Sequence, residues 1–248
     1  MNAQVVTKTM TAPGVLPAAL RLGPVRLAVT DLDRAIDFYT RIVGLTVSAR
    51  RTEAARVVAY LGNGRENVIE LQAEPDARPA GQHAGLYHVA LNYESRLELG
   101  RTLQRIVDTG TPIDGASNHR THEAIYLPDP DGNGLELAWD FPRDQWPAAL
   151  DLLAGGPRPL DAKSMLQLAS AGGSQGAGPA RVGHLHLHVG DVQRALAFYE
   201  GLVGFELQMN VGVAAFVSAG GYHHHLAMNV WQGANAAPPP ANTLGLRE

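Results

Sequence analysis

The chain has 248 residues, 45% hydrophobic and 18% charged, a net charge of −4, and no cysteine. This balance can build a buried core, offers no basic field for nucleic acid, and excludes disulfides, thiolate ligands and a cysteine nucleophile. No stretch reaches the roughly 18 apolar residues of a membrane span, the cysteine-free composition fits a cytoplasmic protein, and any metal must be held by Asp, Glu or the ten histidines.

Residues 1–20 lack a signal-peptide core and read as a flexible tail. The next segment, Leu22–Val47 (LGPVRLAVTDLDRAIDFYTRIVGLTV), returns as Val182–Leu207 (VGHLHLHVGDVQRALAFYEGLVGFEL). A repeat this long is one structural unit copied. In the first copy, Asp31 or Thr30 can cap a helix. Leu32, Ala35, Ile36, Tyr39, Ile42 and Val43 form its apolar face, and Gly44 supplies a left-handed stop. Strands follow at Leu45–Ala49, Ala55–Tyr60 and Val68–Ala73, so the unit reads β-α-β-β-β.

A second unit starts at GLYHVALNY (Gly85–Tyr93). Its helix carries Leu99, Leu103, Ile106 and Val107 and stops at Gly110. Its later strands, Ala124–Leu127 and Leu135–Trp139, flank a Pro-Asp-Pro-Asp-Gly-Asn-Gly turn. Phe141–Ala180 reads as a connector with a short helix near Leu160–Ala169 and a flexible AGGSQGAGPA stretch. The third unit runs from Val182 to Trp231. After Pro238–Pro240, the closing LGLRE resembles the start of the second unit, AGLYH. The expected fold is α+β, with three complete βαβββ modules and a truncated fourth. The expected division is a first domain at 21–140 (modules one and two), a linker at 141–180, and a second domain at 181–248.

Polar residues on the expected strands stand out. His88 and Glu136 each sit among apolar neighbours, and a carboxylate there is costly to bury without a partner. Alternation puts His184, His186 and His188 on one face, whereas the first copy has Pro24, Arg26 and Ala28 there. His119 and His122 precede a strand, and His223, His224 and His225 are consecutive. A single strand histidine is most often a hydrogen-bonded structural residue. Two histidines and a carboxylate at equivalent places in repeated units point instead to a mononuclear metal site with open positions.

The motifs VTDLDRAIDFY and DPDGNGLEL resemble the vicinal oxygen chelate superfamily, which includes glyoxalase I, bleomycin-resistance proteins and extradiol dioxygenases. GLYHVAL, EAIYLPDPDGNGLEL, HLHLHV and SAGGYHHHLAMN are similar to two-domain bacterial catechol 2,3-dioxygenase-like proteins. The resemblance implies modules that curl into glyoxalase-like sheets or barrels around a metal. It implies His88, Glu136 and His184 as ligands, hence a barrel joining modules two and three. His224 resembles the family's acid–base histidine. Alternation favours His223 and His225 instead, so the three remain alternatives, with His225 kept beside His224 as a catalytic candidate. His119 resembles the histidine that contacts substrate and oxygen, while Tyr126 stands only near the position of the family's tyrosine.

The implied activity is extradiol cleavage of a small aromatic diol by O2 with Fe(II), and the ligand set equally admits Mn(II). The implied partners are the diol and O2, with a homodimer as the candidate assembly and no nucleic acid or membrane. One alternative is a metal-dependent isomerase or transferase of the glyoxalase type, using a rival site of Glu70, His88 and Glu136. Another is a metal-free protein that binds a small aromatic compound.

Overall fold

The structure, a computed structural model, describes residues 14–148, 155–172 and 180–247. Module one supplies β1 (Val25–Val29), α1 (Leu32–Phe38), β2 (Thr46–Glu53), β3 (Arg56–Gly62) and β4 (Asn67–Ala73). Module two supplies β5 (Gly85–Tyr93), α2 (Arg96–Thr109), β6 (Gly115–Asn118), β7 (His122–Pro128) and β8 (Gly134–Asp140). The connector contains β9 (Arg158–Pro159) and α3 (Ala162–Ala171). Module three supplies β10 (Ala180–His188), α4 (Val192–Phe198), β11 (Glu206–Asn210), β12 (Ala214–Ser218) and β13 (Leu226–Asn229), and β14 (Gly245–Leu246) follows.

The repeat is exact in its local chemistry. Asp31 caps α1 by accepting from the Arg34 N–H, and Asp191 caps α4 by accepting from Arg194. Each helix then widens into a π-helical turn, at Tyr39–Val43 and Tyr199–Val203. The widening follows from one carbonyl taking two donors: Tyr39 O accepts from Gly44 and Leu45, and Tyr199 O from Gly204 and Phe205. Gly44 (φ 91°) and Gly204 (φ 96°) make the left-handed stop, where a Cβ would be strained. In every module the first strand pairs in parallel with the last: β1 with β4, β5 with β8, β10 with β13.

The modules join out of sequence order. A nine-stranded sheet runs β11-β12-β13-β10-β5-β8-β7-β6-β9, so modules two and three meet at the antiparallel β5–β10 seam. A five-stranded sheet runs β14-β1-β4-β3-β2, and β14 lies antiparallel to β1 as β10 does to β5. The main core packs between the sheets, with Leu27, Ile69, Leu71, Leu91, Leu99, Ile125, Leu135 and Leu137 fully buried. Module three keeps a smaller core around Leu196, Phe205, Val217 and Met228.

The connector is more than a spacer. Met165 of α3 is fully buried against the main core, and β9 edges the nine-stranded sheet. The Gly/Ser/Ala-rich stretch at 173–179 and residues 1–13 lie outside the described residues. Residues 14–20, expected within the tail, clasp module three: the Leu16 N–H donates to Gly204 O, and Leu16 and Leu20 pack on its core. The Pro-Asp-Pro-Asp-Gly-Asn-Gly turn is knotted around buried Asp129, which accepts from the Asp131 and Asn133 N–H groups, the Asn133 side chain and Tyr39 OH. It therefore ties module two to the helix of module one. Val107, expected on the buried face of α2, is 55% exposed.

Gly134 starts β8, and a Cβ there would overlap the Tyr87 carbonyl of β5. Backbone cannot yield as a flexible side chain does. Gly134→Ala should destabilise the fold by about 1–3 kcal/mol, measured as a lower urea midpoint. An unchanged midpoint would show that β5 and β8 separate freely.

Candidate metal centre

Strand register builds the site. Across the seam, Glu136 of β8 and His184 of β10 both sit opposite Ala90 of β5. His88 lies two residues along β5, on the same face. Adjacent strands are about 4.8 Å apart, and the methyl of Ala90 leaves room above it, so the three larger side chains lean together. Glu136 Oε2 lies 3.0 Å from His88 Nε2 and 3.1 Å from His184 Nε2, and the two histidine nitrogens are 3.3 Å apart. All three side chains are buried, with relative exposures of 7%, 2% and 3% for His88, Glu136 and His184. Two imidazoles and one carboxylate, each offering one atom within 4.8 Å of the others, fit a divalent cation of the iron, manganese or zinc type.

Further polar groups surround this trio. His122 of β7 brings Nε2 to 3.0 Å from Glu136 Oε1. Tyr126 sits directly across from Glu136 on β7, and His119 Nε2 lies 2.8 Å from its hydroxyl. His224 packs against His184 with ring centres 4.1 Å apart and planes tilted by 51°. Its Nε2 is buried and has no hydrogen-bond partner among the described residues. His224 Nδ1 lies 2.9 Å from His223 Nδ1, and His223 Nε2 lies 3.1 Å from Asp140 Oδ1. With His223 donating to the Asp140 carboxylate, its Nδ1 can only accept from His224. That leaves His224 Nε2 with a bare lone pair.

Electrostatics agree with this protonation pattern. Burial alone would raise the Glu136 carboxyl, but His184, His122 and His88 hold it well below the usual carboxylate range. Asp140 is likewise opposed by burial, yet His223 and Tyr222 bring it down to about 2. Burial lowers His184 and His224 and takes His223 to about 3 and His186 to about 2. Burial and the neighbouring His122 take His119 to about 4. Burial and Glu136 raise Tyr126, which stays a neutral donor.

The structure thus brings together His88, Glu136, His184, His224 and His119. It turns His225 away: its Nδ1 accepts from the Ala219 N–H, and its ring packs on Tyr222 and Phe205 in a cleft lined by Leu20 and Arg143. The physical reason is that β13 begins only at Leu226. Residues 223–225 form a turn, where strand alternation does not operate, and both His223 and His224 point inward. The rival site does not assemble. Glu70 accepts two hydrogen bonds from Arg26 in the five-stranded sheet. Sequence reasoning singled out His122 without giving it a role, and it missed Asp140 and Tyr222. The signal for His122 is its closeness to His119; Asp140 and Tyr222 carry none. A cavity of about 480 Å3, lined by Tyr87, His88, Tyr126, Leu135 and His188 among others, gives the site room for a small molecule.

The family described as the Glyoxalase/Bleomycin resistance protein/Dioxygenase superfamily matches residues 21–137 and 181–245. Over 233 residues the chain is 36% identical to a catechol-2,3-dioxygenase of Bacillus subtilis (strain 168), covering 91% of this chain and 80% of that one. A lactoylglutathione lyase of Escherichia coli O157:H7 is 30% identical over 48% of this chain and 91% of its own length. Among solved structures, one from Bacillus subtilis shares the fold with a TM-score of 0.60 at 13% identity, over 83% of this chain and 62% of that one. Glyoxalase I from Zea mays gives 0.53 at 21% identity, over 84% and 66%. The chain thus spans less than two thirds of these two solved proteins. Among the described residues no helix is long and apolar enough to cross a membrane.

The buried neutral histidines make stability pH-dependent. Above about pH 6.5, neither the folded nor the unfolded chain protonates them. Below it, the unfolded chain binds protons that His119, His186 and His223 refuse until about 4, 2 and 3. More protons on the unfolded side means stability falls as pH falls. Chelator-treated protein should lose roughly 1–2 kcal/mol per such histidine by pH 5, seen as a lower Tm. A Tm constant from pH 7 to 5 would contradict this protonation pattern.

Proposed function

The chain belongs to the glyoxalase/bleomycin resistance/dioxygenase superfamily, and from that premise we propose that it is an extradiol dioxygenase acting on a small catechol-like diol. The observation that carries this reading is the convergence of His88, Glu136 and His184 from two modules, with the unpartnered His224 Nε2 beside them. The 36% identity to a catechol-2,3-dioxygenase over 91% of the chain supports it. His88, Glu136 and His184 would hold Fe(II), or Mn(II). The ion supplies a place where diol and dioxygen can meet and exchange electrons, and its charge favours the deprotonated diol.

The chain's own residues handle protons, orientation and water. His224 Nε2 takes a diol proton and later returns it. Asp140 and His223 hold the ring in the tautomer that can do so. His119 and Tyr126, linked at 2.8 Å, present a donor to negative charge developing on oxygen. Tyr87 and Leu135 line the cavity and screen the ring from solvent. The binding-protein reading explains none of these buried polar placements. A glyoxalase-type reaction using Glu70 loses that carboxylate to Arg26.

Protein loaded with iron under nitrogen and mixed with catechol should turn yellow and consume O2 on admission of air. Metal retention without O2 uptake would favour an isomerase instead. His88→Ala and Glu136→Gln should lose both the iron of this site and the activity. His224→Ala should keep the metal and slow turnover by about 10²–10⁴-fold. Unchanged turnover in that variant would remove His224 from the proton transfers.

A further inference from the structure

A second trio of ligand atoms stands beside the first. His122 Nε2, Asp140 Oδ1 and His223 Nε2 lie within 4.8 Å of one another. We propose that this trio, bridged to the first by Glu136, is a second divalent-cation position of the zinc type. It rests on the reading of the first site only through the orientation of Glu136.

Three features make it a built site. First, the remaining polar atom of each ligand is held by a neighbour, as metal ligands require. Thr121 Oγ1 lies 2.9 Å from His122 Nδ1. Asp140 Oδ2 accepts from Tyr222 OH at 2.7 Å and from Asn92 Nδ2 at 2.6 Å. His223 Nδ1 lies 2.9 Å from His224 Nδ1. The atoms left over face one another.

Second, the floor is made of small residues. His122 and Asp140 are cross-strand partners on β7 and β8, and Ala124 and Ala138 are the next partners on that face. Both alanines are buried, as Ala90 is beneath the first trio. The His122 and His223 rings stack with centres 4.7 Å apart and planes at 18°, so both Nε2 atoms can lean toward one point.

Third, Glu136 faces both ways. Its Oε2 belongs to the first trio. Its Oε1 is buried, has no well-aligned hydrogen bond among the described residues, and lies 3.0 Å from His122 Nε2. A carboxylate with one oxygen toward each trio is the usual bridge between two cations. Two carboxylates and four imidazoles then divide between two ions, with Glu136 shared.

Occupancy has a chemical consequence. A cation on His223 Nε2 needs its lone pair, so the proton moves to His223 Nδ1. His223 then donates to His224 Nδ1, and the proton of His224 shifts to Nε2. No proton is gained or lost, but His224 changes from acceptor to donor at the atom beside the first site. The second ion therefore inhibits any reaction that needs a base there.

The test is metal stoichiometry. Chelator-stripped protein equilibrated with Zn2+ should retain two ions per chain, read by atomic emission. Asp140→Asn should retain one, because a neutral amide is a poor ligand in nearly the same shape. His88→Ala should also retain one, held by the other trio. Manganese-loaded wild type should give an exchange-coupled resonance spectrum, and Asp140→Asn an uncoupled one. Circular dichroism and Tm report whether each variant folds, and the wild-type count decides even if a variant does not. Saturation of the wild type at one ion, or two ions kept by Asp140→Asn, would overturn the proposal. Failure of the first reading would show differently, as two ions kept by His88→Ala.

Discussion

The site depends on one buried carboxylate. Glu136 is only 2% exposed, and an isolated charge there would be expelled or neutralised. It stays ionised because three imidazoles approach it at 3.0–3.1 Å. Those imidazoles come from β5, β7 and β10, so a single electrostatic demand binds three strands and two modules. The alanines beneath them matter as much. Larger residues at Ala90, Ala124 or Ala138 would lift the side chains off the sheet and spread them apart.

Much of this is legible in the sequence because it repeats or alternates. The duplicated strand–helix–Gly pattern foretells both copies, including Asp31 and Gly44. Glu136 is conspicuous because its apolar neighbours force it inward, and His184 because alternation aligns it with His186 and His188. Asp140 carries no such mark, and His122 is marked only by its closeness to His119. They meet only through β7–β8 register, which depends on the length and bonding of the turn around Asp129. The short strand Gly115–Asn118 is polar and exists through its neighbours. The three consecutive histidines defeat a periodicity argument because they occupy a turn.

The two sheets have diverged in charge logic. In the nine-stranded sheet, neutral imidazoles surround a carboxylate and leave lone pairs available. In the five-stranded sheet, the matching strand carries Arg26, whose guanidinium lies against both Glu70 and Glu53. A fixed cation on the chain fills the role a free ion could play elsewhere, and that half becomes scaffold. It still contributes to the site's precision, since Tyr39 and Thr30 brace the turn that sets β8.

The pairing of non-consecutive modules also orders events in time. A ribosome delivers His88 and Glu136 well before His184, and His223 and His224 later still. A nascent chain holding only the earlier repeats has an unpaired β5 edge and a half-made ion cradle. An ion that needs all three side chains could therefore be held only once the third module has emerged and paired with β5.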